Sequence, residues 1–393
     1  MRHDPLAYLS VEIDALEAQG LYRPLRVLEG EQKAETTFDH RQLVNLSSNN
    51  YLGLTTHPLL RERAIEATRA LGVGSGSVRT IAGTMAVHLE LERRLAAFKR
   101  TEAVVVFQSG FTANAGTVAA LLTKDDVVVS DELNHASIID GCRLSRATIQ
   151  VFPHKDVDAA RSILAGLPAG RRTLLITDGV FSMDGDLGAL PALCGLAEES
   201  GCIMMVDDAH ASGVFGGNGR GTVDHFGMHG RVDVQVGTLS KALGVLGGYV
   251  AGSRTLVEFL SHRARPFLFS TSHPPAVAAA CIAALDVLEG EPQLIDRLWE
   301  NTRFFKAGLE RLGFNTGMSE SPITPVIVGD GALAMKLSDQ LFVNGVFAQG
   351  IAYPTVARDK ARVRTIVTAT HTREALQFAL DVFARVGRDL GII

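Results

Sequence analysis

The sequence is poor in cysteine and has no long uncharged apolar run. Its 393 residues include four cysteines, Cys142, Cys194, Cys202 and Cys281, which form no Cys-x-x-Cys pair. We therefore expect small core residues in a reducing compartment. No apolar stretch of membrane-spanning length is free of charge, and the first residues carry no apolar run. We expect no membrane association, no signal peptide and a cytoplasmic location.

The sequence also lacks an excess of positive charge. A net charge of −5 argues against a nucleic-acid-binding protein, which would need a basic face. An anionic substrate such as an acyl-CoA is still possible, because a few local arginines suffice to bind one. The acidic stretch 207–210 has no second His, Cys, Asp or Glu cluster at ligand spacing, so no metal site is expected.

Repeated pairs of a strand and a helix begin at Ala103, and most of the predicted strands are short, apolar and unalternating. Such strands are typical of a mainly parallel sheet that helices cover on both faces. The predicted strands are residues 103–107, 127–129, 174–177, 203–206, 232–236 and 249–251. We predict an α/β fold with an N-terminal helix and arm (1–47), a large mainly parallel sheet domain (48–288) and a smaller α+β C-terminal domain (289–393).

Lys241 has a setting that is unusual for a surface lysine. It follows the β-forming run 232–236, lies among the hydroxyl groups of Thr238 and Ser240, and precedes Gly244. A lysine at the mouth of an α/β core can lose its proton and attack a carbonyl carbon. This stretch alone leaves open the alternative of a salt-bridged or exposed lysine at a strand end.

Two further stretches complete a set of groups around Lys241. Asp207 directly follows a buried strand and suits a buried cation such as a protonated heterocyclic nitrogen. The turn at Gly110 and Phe111 opens a helix, whose free N–H groups suit a phosphate. Together the three stretches describe a site for pyridoxal 5′-phosphate, whose ring acts as an electron sink. The glycine-rich loop 72–79 lacks the third glycine of a dinucleotide fingerprint, which excludes an NAD site.

Two other polar residues each have a structural and a functional interpretation. His135 begins a helix, and it either bonds to the backbone there or stacks its ring on a flat cofactor. Arg364 lies inside an apolar strand, where an unmatched charge is costly. It either pairs with a structural carboxylate or binds a substrate carboxylate through two hydrogen bonds.

These stretches resemble the motifs of the α-oxoamine synthases, which are fold-type I pyridoxal-phosphate enzymes. The motifs are 134–137 (NHAS), 178–185 (DGVFSMDG), 206–210 (VDDAH) and 238–242 (TLSKA), and the resemblance covers nearly the whole chain. Residues 134–141 and 177–179 are closest to glycine C-acetyltransferase, which condenses glycine with acetyl-CoA, and this is the predicted activity. The alternative is 8-amino-7-oxononanoate synthase, which condenses L-alanine with a pimeloyl thioester in biotin biosynthesis and releases CO2. Residues 269–275 resemble a subgroup that accepts both substrate pairs.

The resemblance implies three catalytic residues at the cofactor. Lys241 would hold it covalently and later move the Cα proton, Asp207 would pair with the pyridine nitrogen, and His135 would stack on the ring. Ser182 and His210 would bond on the side of the phenolic oxygen, and Ser182 would also face the substrate.

The resemblance further implies a phosphate site that two subunits share. The backbone of Gly110 and Phe111 would hold the phosphate together with Thr238. Ser270 or Thr271 of a second subunit would add to it, since the active sites of the family lie at a dimer interface. The implied assembly is a homodimer with shared active sites.

The remaining implied residues concern the substrates, an amino acid (glycine or alanine) and an acyl-CoA. Asn50 and Arg364 would hold the amino-acid carboxylate, and Thr355 is a further candidate for substrate binding. Arg23 and Arg79 are weaker candidates that would face the acyl-CoA or the second subunit.

Two other functions are compatible with the same motifs. An aminotransferase could use the same fold and cofactor with a keto acid as acceptor. A non-catalytic pyridoxal-binding regulator would normally carry an additional DNA-binding or partner domain, and this chain has no residues to spare for one.

Overall fold

The fold is an assembly of α-helices and β-strands, and a computed structural model describes it for residues 4–19, 22, 24–168 and 170–393. The helices are α1 (Tyr8–Ala18), α2 (Pro58–Leu71), α3 (Ala86–Lys99), α4 (Gly110–Leu121), α5 (Ala136–Ser145), α6 (Val157–Ala165), α7 (Leu190–Ser200), α8 (Thr222–His225), α9 (Arg254–Arg263), α10 (Arg265–Leu268), α11 (Pro275–Gly290), α12 (Gln293–Arg311), α13 (Gly331–Val343) and α14 (Arg373–Asp389). The strands are β1 (Glu35–Phe38), β2 (Arg41–Asn45), β3 (Ala103–Phe107), β4 (Val127–Asp131), β5 (Thr148–Phe152), β6 (Thr173–Asp178), β7 (Ile203–Asp207), β8 (Val234–Thr238), β9 (Gly248–Gly252), β10 (Ile323–Gly329), β11 (Val346–Phe347), β12 (Gln349–Ile351) and β13 (Ala361–Ile366). Shorter helical turns lie at Leu54–Thr56, Arg79–Gly83 and Gly217–Gly219.

Seven strands form the main sheet in the order β3-β9-β8-β7-β6-β4-β5. Strand β9 runs antiparallel to its neighbours β3 and β8, and the other neighbouring strands pair in parallel. Apolar side chains of α4, α5 and α9 cover one face, and those of α3, α11, α6 and α7 cover the other. The predicted α/β fold with a doubly covered, mainly parallel sheet is confirmed.

Burial explains which strands could be predicted from the sequence and which could not. Every residue of β4, β6 and β8 is buried, so these strands are mainly apolar and do not alternate between apolar and polar residues as half-exposed strands do. The edge strand β5 exposes all its residues except Phe152 and has no such run, so it was not predicted. Strand β8 begins two residues later than predicted, because Val232 and Asp233 precede its first pairing at Val234.

The C-terminal part of the chain forms a second layer with its own sheet and core. Strands β10, β13 and β12 pair antiparallel, in that order, and α12, α13 and α14 contribute the apolar side chains of the core beside them. The N-terminal arm joins this layer, because β2 pairs with β11 in parallel and Val44 and Leu46 lie in the same core. The domain boundaries after residues 47 and 288 stay a prediction.

Helix α1 lies apart from both cores. It has no buried residue, and its apolar side chains Leu9, Ile13 and Leu16 are all exposed. Within the described part of the chain, nothing covers this apolar stripe. No helix among the described residues combines the length and the apolarity needed to cross a bilayer.

Candidate active site

The loops at the carboxyl ends of β4, β6, β7 and β8 meet at one cavity, together with the start of α4. This position follows from the parallel sheet, in which the carboxyl ends of neighbouring strands share one edge. The sequence-predicted residues that line the cavity are Gly110, Phe111, His135, Ser182, Asp207, His210, Thr238 and Lys241. The structure therefore brings together residues that are up to 131 positions apart in the chain.

Lys241 lies in the turn between β8 and β9. The N–H of Gly244 donates to the carbonyl of Lys241 at 2.9 Å, and the N–H of Leu239 donates to the carbonyl of Gly247 at 2.8 Å. Gly244 adopts φ +71°, and a Cβ there would lie 2.6 Å from the backbone N of Thr55, so only glycine fits this tight turn. Burial lowers the pKa of the Lys241 amine to about 8. A sizeable fraction of the amine is therefore neutral, and able to attack, near neutral pH.

Asp207 is the last residue of β7, and two donors hold its carboxylate. Its Oδ2 accepts from Nδ2 of Asn114 at 2.6 Å, and its Oδ1 accepts from the N–H of Ala209 at 2.8 Å. A second carboxyl, that of Asp178, lines the same cavity. Burial, and next the charge of Asp207, raise the pKa of Asp178 well above its usual range. The cavity therefore holds two carboxyl groups: that of Asp207, which two donors hold in place, and that of Asp178, whose pKa is raised.

His135 bonds to the backbone at a helix start, which is the first of the two interpretations that the sequence left open; its stacking on a cofactor stays a prediction. It is the N-cap of α5, where its Nδ1 accepts from the N–H of Ser137 at 3.2 Å and lies 2.7 Å from the Ser137 hydroxyl. The ring also lines the cavity. Burial lowers the pKa of His135, so the ring that faces the cavity is neutral at ordinary pH.

The first turn of α4 is a ready site for an anion. Ser109 is the N-cap, and its hydroxyl accepts from the N–H of Thr112 at 3.1 Å. The N–H groups of Gly110 and Phe111 belong to the first turn and have no intrahelical acceptor. A Cβ at Gly110 would lie 3.3 Å from Cβ of Thr238, so a side chain would fill the space beside these donors. The anion site, the carboxylate of Asp207 and the buried amine of Lys241 fit the phosphate, the ring nitrogen and the aldehyde of pyridoxal 5′-phosphate.

Arg364 reaches from β13 toward the large sheet. Its Nη2 donates to Oδ1 of Asn49 at 3.1 Å, whereas the Asn50 amide donates instead to the Gln32 carbonyl and to the Thr55 hydroxyl, at 3.2 and 2.7 Å. Among the described residues, no carboxylate lies within ion-pair distance of Arg364, and its Nε is buried without a partner. Of the two interpretations of this arginine, pairing with a structural carboxylate is therefore disfavoured.

Neither Arg364 and Asn50 nor the remaining predicted residues line the cavity around Lys241. Both terminal nitrogens of Arg79 bond to the carboxylate of Glu92, at 2.8 and 3.0 Å. Ser270 and Thr271 lie outside the cavity of their own chain, and Thr355 lies in an exposed turn whose N–H donates to the Ala352 carbonyl. Arg23 lies outside the described residues.

Several residues of this region were missed in the sequence, among them Asp178, Asn114 and Arg362. Asn114 is an amide on helix α4, whose other polar side chains are two threonines, and that contrast was a usable signal. Arg362 is 3% exposed, and its Nη1 donates to Oδ1 of Asp184 at 2.6 Å and to the Met183 carbonyl at 2.9 Å. It ties β13, which carries Arg364, to the loop of Ser182, and no local pattern in the sequence indicates this contact.

Comparison with known proteins agrees with this geometry. A family model described as aminotransferase class I and II matches residues 41–383. The chain is 62% identical to an 8-amino-7-oxononanoate synthase of Symbiobacterium thermophilum over 98% of this chain and 99% of that protein. It is 53% identical to 8-amino-7-oxononanoate synthase 1 of Bacillus subtilis over 98% of each chain.

Solved structures of related enzymes have the same fold as this chain. Serine palmitoyltransferase from S. paucimobilis, solved with a bound PLP–myriocin aldimine, matches with a TM-score of 0.94 and 31% identity over 100% of both chains. The 8-amino-7-oxononanoate synthase of Francisella tularensis matches with a TM-score of 0.76 and 27% identity, over 89% of this chain and 99% of that one. The chain belongs to the α-oxoamine synthase family. This α-oxoamine synthase has the fold-type I architecture, uses pyridoxal 5′-phosphate and is a C-acyltransferase, for which an amino acid and an acyl-CoA are fitting substrates.

The predicted glycine C-acetyltransferase activity is wrong. The relatives at 53–62% identity are 8-amino-7-oxononanoate synthases, which is the alternative that the sequence left open. The physical reason lies in the position of the motifs that favoured the acetyltransferase. His135, Ser137 and Asp178 line the cofactor cavity, and contacts to a shared cofactor do not discriminate between amino-acid or acyl substrates.

Proposed function

We propose that this α-oxoamine synthase is an 8-amino-7-oxononanoate synthase, which joins L-alanine to a pimeloyl thioester and releases CO2 and the thiol. The observation that carries the proposal is the 62% identity to such an enzyme over 98% of this chain. The carbons of the pimeloyl group, together with Cα and the methyl group of alanine, make up the nonanoate skeleton. The proposal extends to a cytoplasmic location, which stays a prediction.

Lys241 and Asp207 are the central residues of the proposed reaction. When bound, pyridoxal 5′-phosphate supplies a conjugated ring that takes up the electron pair of a broken bond at Cα. Lys241 holds the cofactor through its aldehyde, and its released Nζ takes the proton from Cα of L-alanine. The lowered pKa of Lys241 supports both roles, because only the neutral amine attacks a carbonyl or accepts a proton. Asp207 faces the ring nitrogen, with Asn114 and Ala209 holding its carboxylate in place.

Other cavity residues orient the cofactor in the proposal. The N–H groups of Gly110 and Phe111 would hold the phosphate at the start of α4, with Thr238 beside them. His135 would stack its neutral ring on the cofactor. Ser182 and His210 would bond on the side of the phenolic oxygen.

Arg364 binds the carboxylate of L-alanine in the proposal, with Asn50 as a second candidate. The absence of an ion pair for Arg364 among the described residues supports this role, because a buried guanidinium needs a partner. A new bond joins Cα of alanine to the acyl carbon, and the C–S bond breaks as the thiolate leaves. The bond from Cα to the carboxylate carbon then breaks to release CO2, and Lys241 returns a proton to Cα.

We further propose a homodimer with shared active sites. Ile81 and Phe269 are large, exposed apolar residues, and they flank the pairing of Val78 with Thr271. A second copy would cover this surface and bring its Ser270 and Thr271 toward the phosphate site. Light scattering should give twice the mass of the chain. Mixing Lys241→Ala subunits with Ser270→Ala/Thr271→Ala subunits should then produce some dimers with one intact site, whereas a monomeric mass would contradict the assembly.

A two-substrate assay tests the proposed function. Purified holoenzyme is given L-alanine with pimeloyl-CoA and, separately, glycine with acetyl-CoA, and the thiol, CO2 and amino-ketone product are quantified. We expect kcat/KM for the first pair to exceed that for the second by at least about 100-fold, which corresponds to roughly 3 kcal/mol of transition-state discrimination. Comparable values, or a product that retains the carboxylate of alanine, would refute the proposal.

A further inference from the structure

The buried side chains of Tyr51 and His210 are joined by a short hydrogen bond. The phenol oxygen of Tyr51 lies 2.7 Å from Nδ1 of His210, and the two residues are 1% and 7% exposed. Tyr51 belongs to the loop after β2 and His210 to the loop after β7, so only the fold brings them together. Either atom can be the donor in principle, and the neighbouring groups decide the direction.

The proton of the Tyr51 hydroxyl sets the direction of this bond, because a buried donor needs an acceptor. The nearby charge of Arg364 offers no acceptor, since a guanidinium can only donate. Among the described residues, Nδ1 of His210 is the acceptor within hydrogen-bonding distance.

The charge states of both partners agree with this direction. Burial raises the pKa of Tyr51, so the phenol keeps its proton at any ordinary pH. Burial, and next the positive charges of Lys241 and Arg364, hold the pKa of His210 well below its usual value. The imidazole is therefore neutral and has one acceptor nitrogen. The opposite tautomer would leave the buried Tyr51 proton without an acceptor, which is rare in native proteins.

We infer that Tyr51 is a positioning residue that holds His210 in the Nε2–H tautomer and so turns Nε2 into a hydrogen-bond donor toward the active-site cavity. His210 lines this cavity, and Nδ1 is already occupied by Tyr51. The tautomer itself does not depend on the proposed function. Only the identity of the acceptor opposite Nε2 rests on it, and in that proposal the acceptor is the phenolic oxygen of the cofactor.

Nitrogen NMR tests the tautomer directly and without turnover. The protein is labelled with ¹⁵N-histidine, and long-range ¹H–¹⁵N correlations are recorded for the cofactor-free and the cofactor-loaded protein between about pH 6 and pH 8. The His210→Asn variant identifies the signals of His210. We expect a protonated Nε2 and an unprotonated Nδ1 in both forms, whereas a protonated Nδ1 would overturn the inference.

Two tyrosine variants distinguish the loss of the bond between Tyr51 and His210 from the general effect of removing a buried hydroxyl group. Tyr51→Phe keeps the ring and removes the donor, and we expect the His210 signals to change to a mixture of tautomers or to the Nδ1–H form. Tyr249→Phe is the matched control, because Tyr249 is equally buried, and its hydroxyl bonds to Ser212 at 2.8 Å and not to His210. The control should leave the His210 signals at their wild-type positions. Wild-type signals in Tyr51→Phe would overturn the role of Tyr51.

The tautomer result is independent of the substrate assay. If L-alanine and pimeloyl-CoA fail as substrates, the proposed function fails, and the His210 spectrum still decides the inference. If the spectrum shows Nδ1–H while the assay succeeds, only the inference fails. Should Tyr51→Phe not fold, the wild-type spectrum alone decides between the two tautomers.

Discussion

Nζ of Lys99 lies 2.9 Å from Oδ2 of Asp208, and neither side chain is more than 1% exposed. This buried ion pair lies directly behind the cofactor cavity, because Asp208 follows Asp207 in the chain. Lys99 also donates to the Arg220 carbonyl, and Asp208 accepts from the N–H and hydroxyl of Thr222. The pair therefore ties α3 to the loop after β7, which begins next to Asp207 and carries His210.

Removing one partner of this pair should destabilise the protein strongly. We expect Lys99→Met to lower the free energy of unfolding by about 3–5 kcal/mol, because it leaves the Asp208 carboxylate buried without a counter-charge. The double variant Lys99→Met/Asp208→Asn removes both charges and should lose less than the sum of the two single variants. Urea unfolding measures all three. A loss below about 1 kcal/mol in Lys99→Met would contradict this account.

The lowered pKa of Lys241 predicts how cofactor capture depends on pH. Below pH 8 the amine is mostly protonated, so the rate at which cofactor-free enzyme captures pyridoxal 5′-phosphate should rise about tenfold per pH unit and then level off above pH 8. Visible absorbance follows the capture. Borohydride should trap the cofactor on Lys241, and Lys241→Ala should show no trapped adduct and lose about 10²–10⁴-fold in kcat. An exposed-lysine control, Lys360→Ala, should behave as wild type; capture that is still rising at pH 10 would contradict the lowered pKa.

The two carboxyl groups of the cavity should respond differently to the same substitution. Asp207→Asn removes the charge that is proposed to face the ring nitrogen, and kcat should fall by about 10²–10³-fold. Asp178→Asn should cost less than about tenfold, because burial and the charge of Asp207 already favour the protonated form of Asp178, which an amide resembles in charge and shape. Steady-state kinetics with both substrates measures the two losses. Equal losses would show that Asp178 also acts as a charged group.

His154 predicts a loss of stability at high pH. Its Nδ1 lies 3.1 Å from Asp131 and its Nε2 lies 2.9 Å from Asp186. Burial opposes the charged ring, but the bonds and charges of these two carboxylates outweigh it and raise the pKa of His154 to about 9. Because the folded-state pKa exceeds the unfolded one, the stabilisation is complete below about pH 6.5 and is lost as pH rises through about 9.

The His154→Gln variant tests this pH dependence. At pH 6 it should be less stable than wild type by up to about 3 kcal/mol, and the difference should shrink between about pH 7 and pH 10. Denaturant unfolding at each pH measures it. His40→Gln is the control, since the His40 side chain is 92% exposed and should show no such trend. A difference that does not vary with pH would mean that His154 contributes packing rather than charge.

Arg364 should control the affinity for the amino acid. Arg364→Lys keeps the charge but loses the two-pronged geometry, so KM for L-alanine should rise about 10–100-fold while the cofactor stays bound. Arg79→Lys is the matched control, because Arg79 makes a two-pronged pair with Glu92 away from the cavity, and its KM should stay near that of wild type. Titration of the visible absorbance with L-alanine gives the affinity separately from turnover. An unchanged KM in Arg364→Lys would remove this arginine from the carboxylate site.

Much of the large sheet could be predicted, because its signals are local. Buried parallel strands are mainly apolar, and the polar residues at their carboxyl ends, Asp207 and Lys241 among them, must meet at one edge of the sheet. The edge strand β5 could not be predicted, because four of its five residues are exposed and leave no apolar run. The motifs also could not decide between the acyl substrates, since His135, Ser137 and Asp178 line the cavity proposed for the cofactor.

The sequence by itself determined the fold class and brought a lysine and a carboxylate to one edge of the sheet, where the cofactor is proposed to bind. Each of these follows from residue types at the ends of apolar strands, where chain direction and burial leave few alternatives. Only the tertiary structure decided which side chains of the surrounding loops and strands meet. Tyr51 meets His210 across 159 residues, and Arg362 meets Asp184 across 178 residues. Contacts between loops of separate layers depend on how the layers pack, and no local pattern in the chain records that packing.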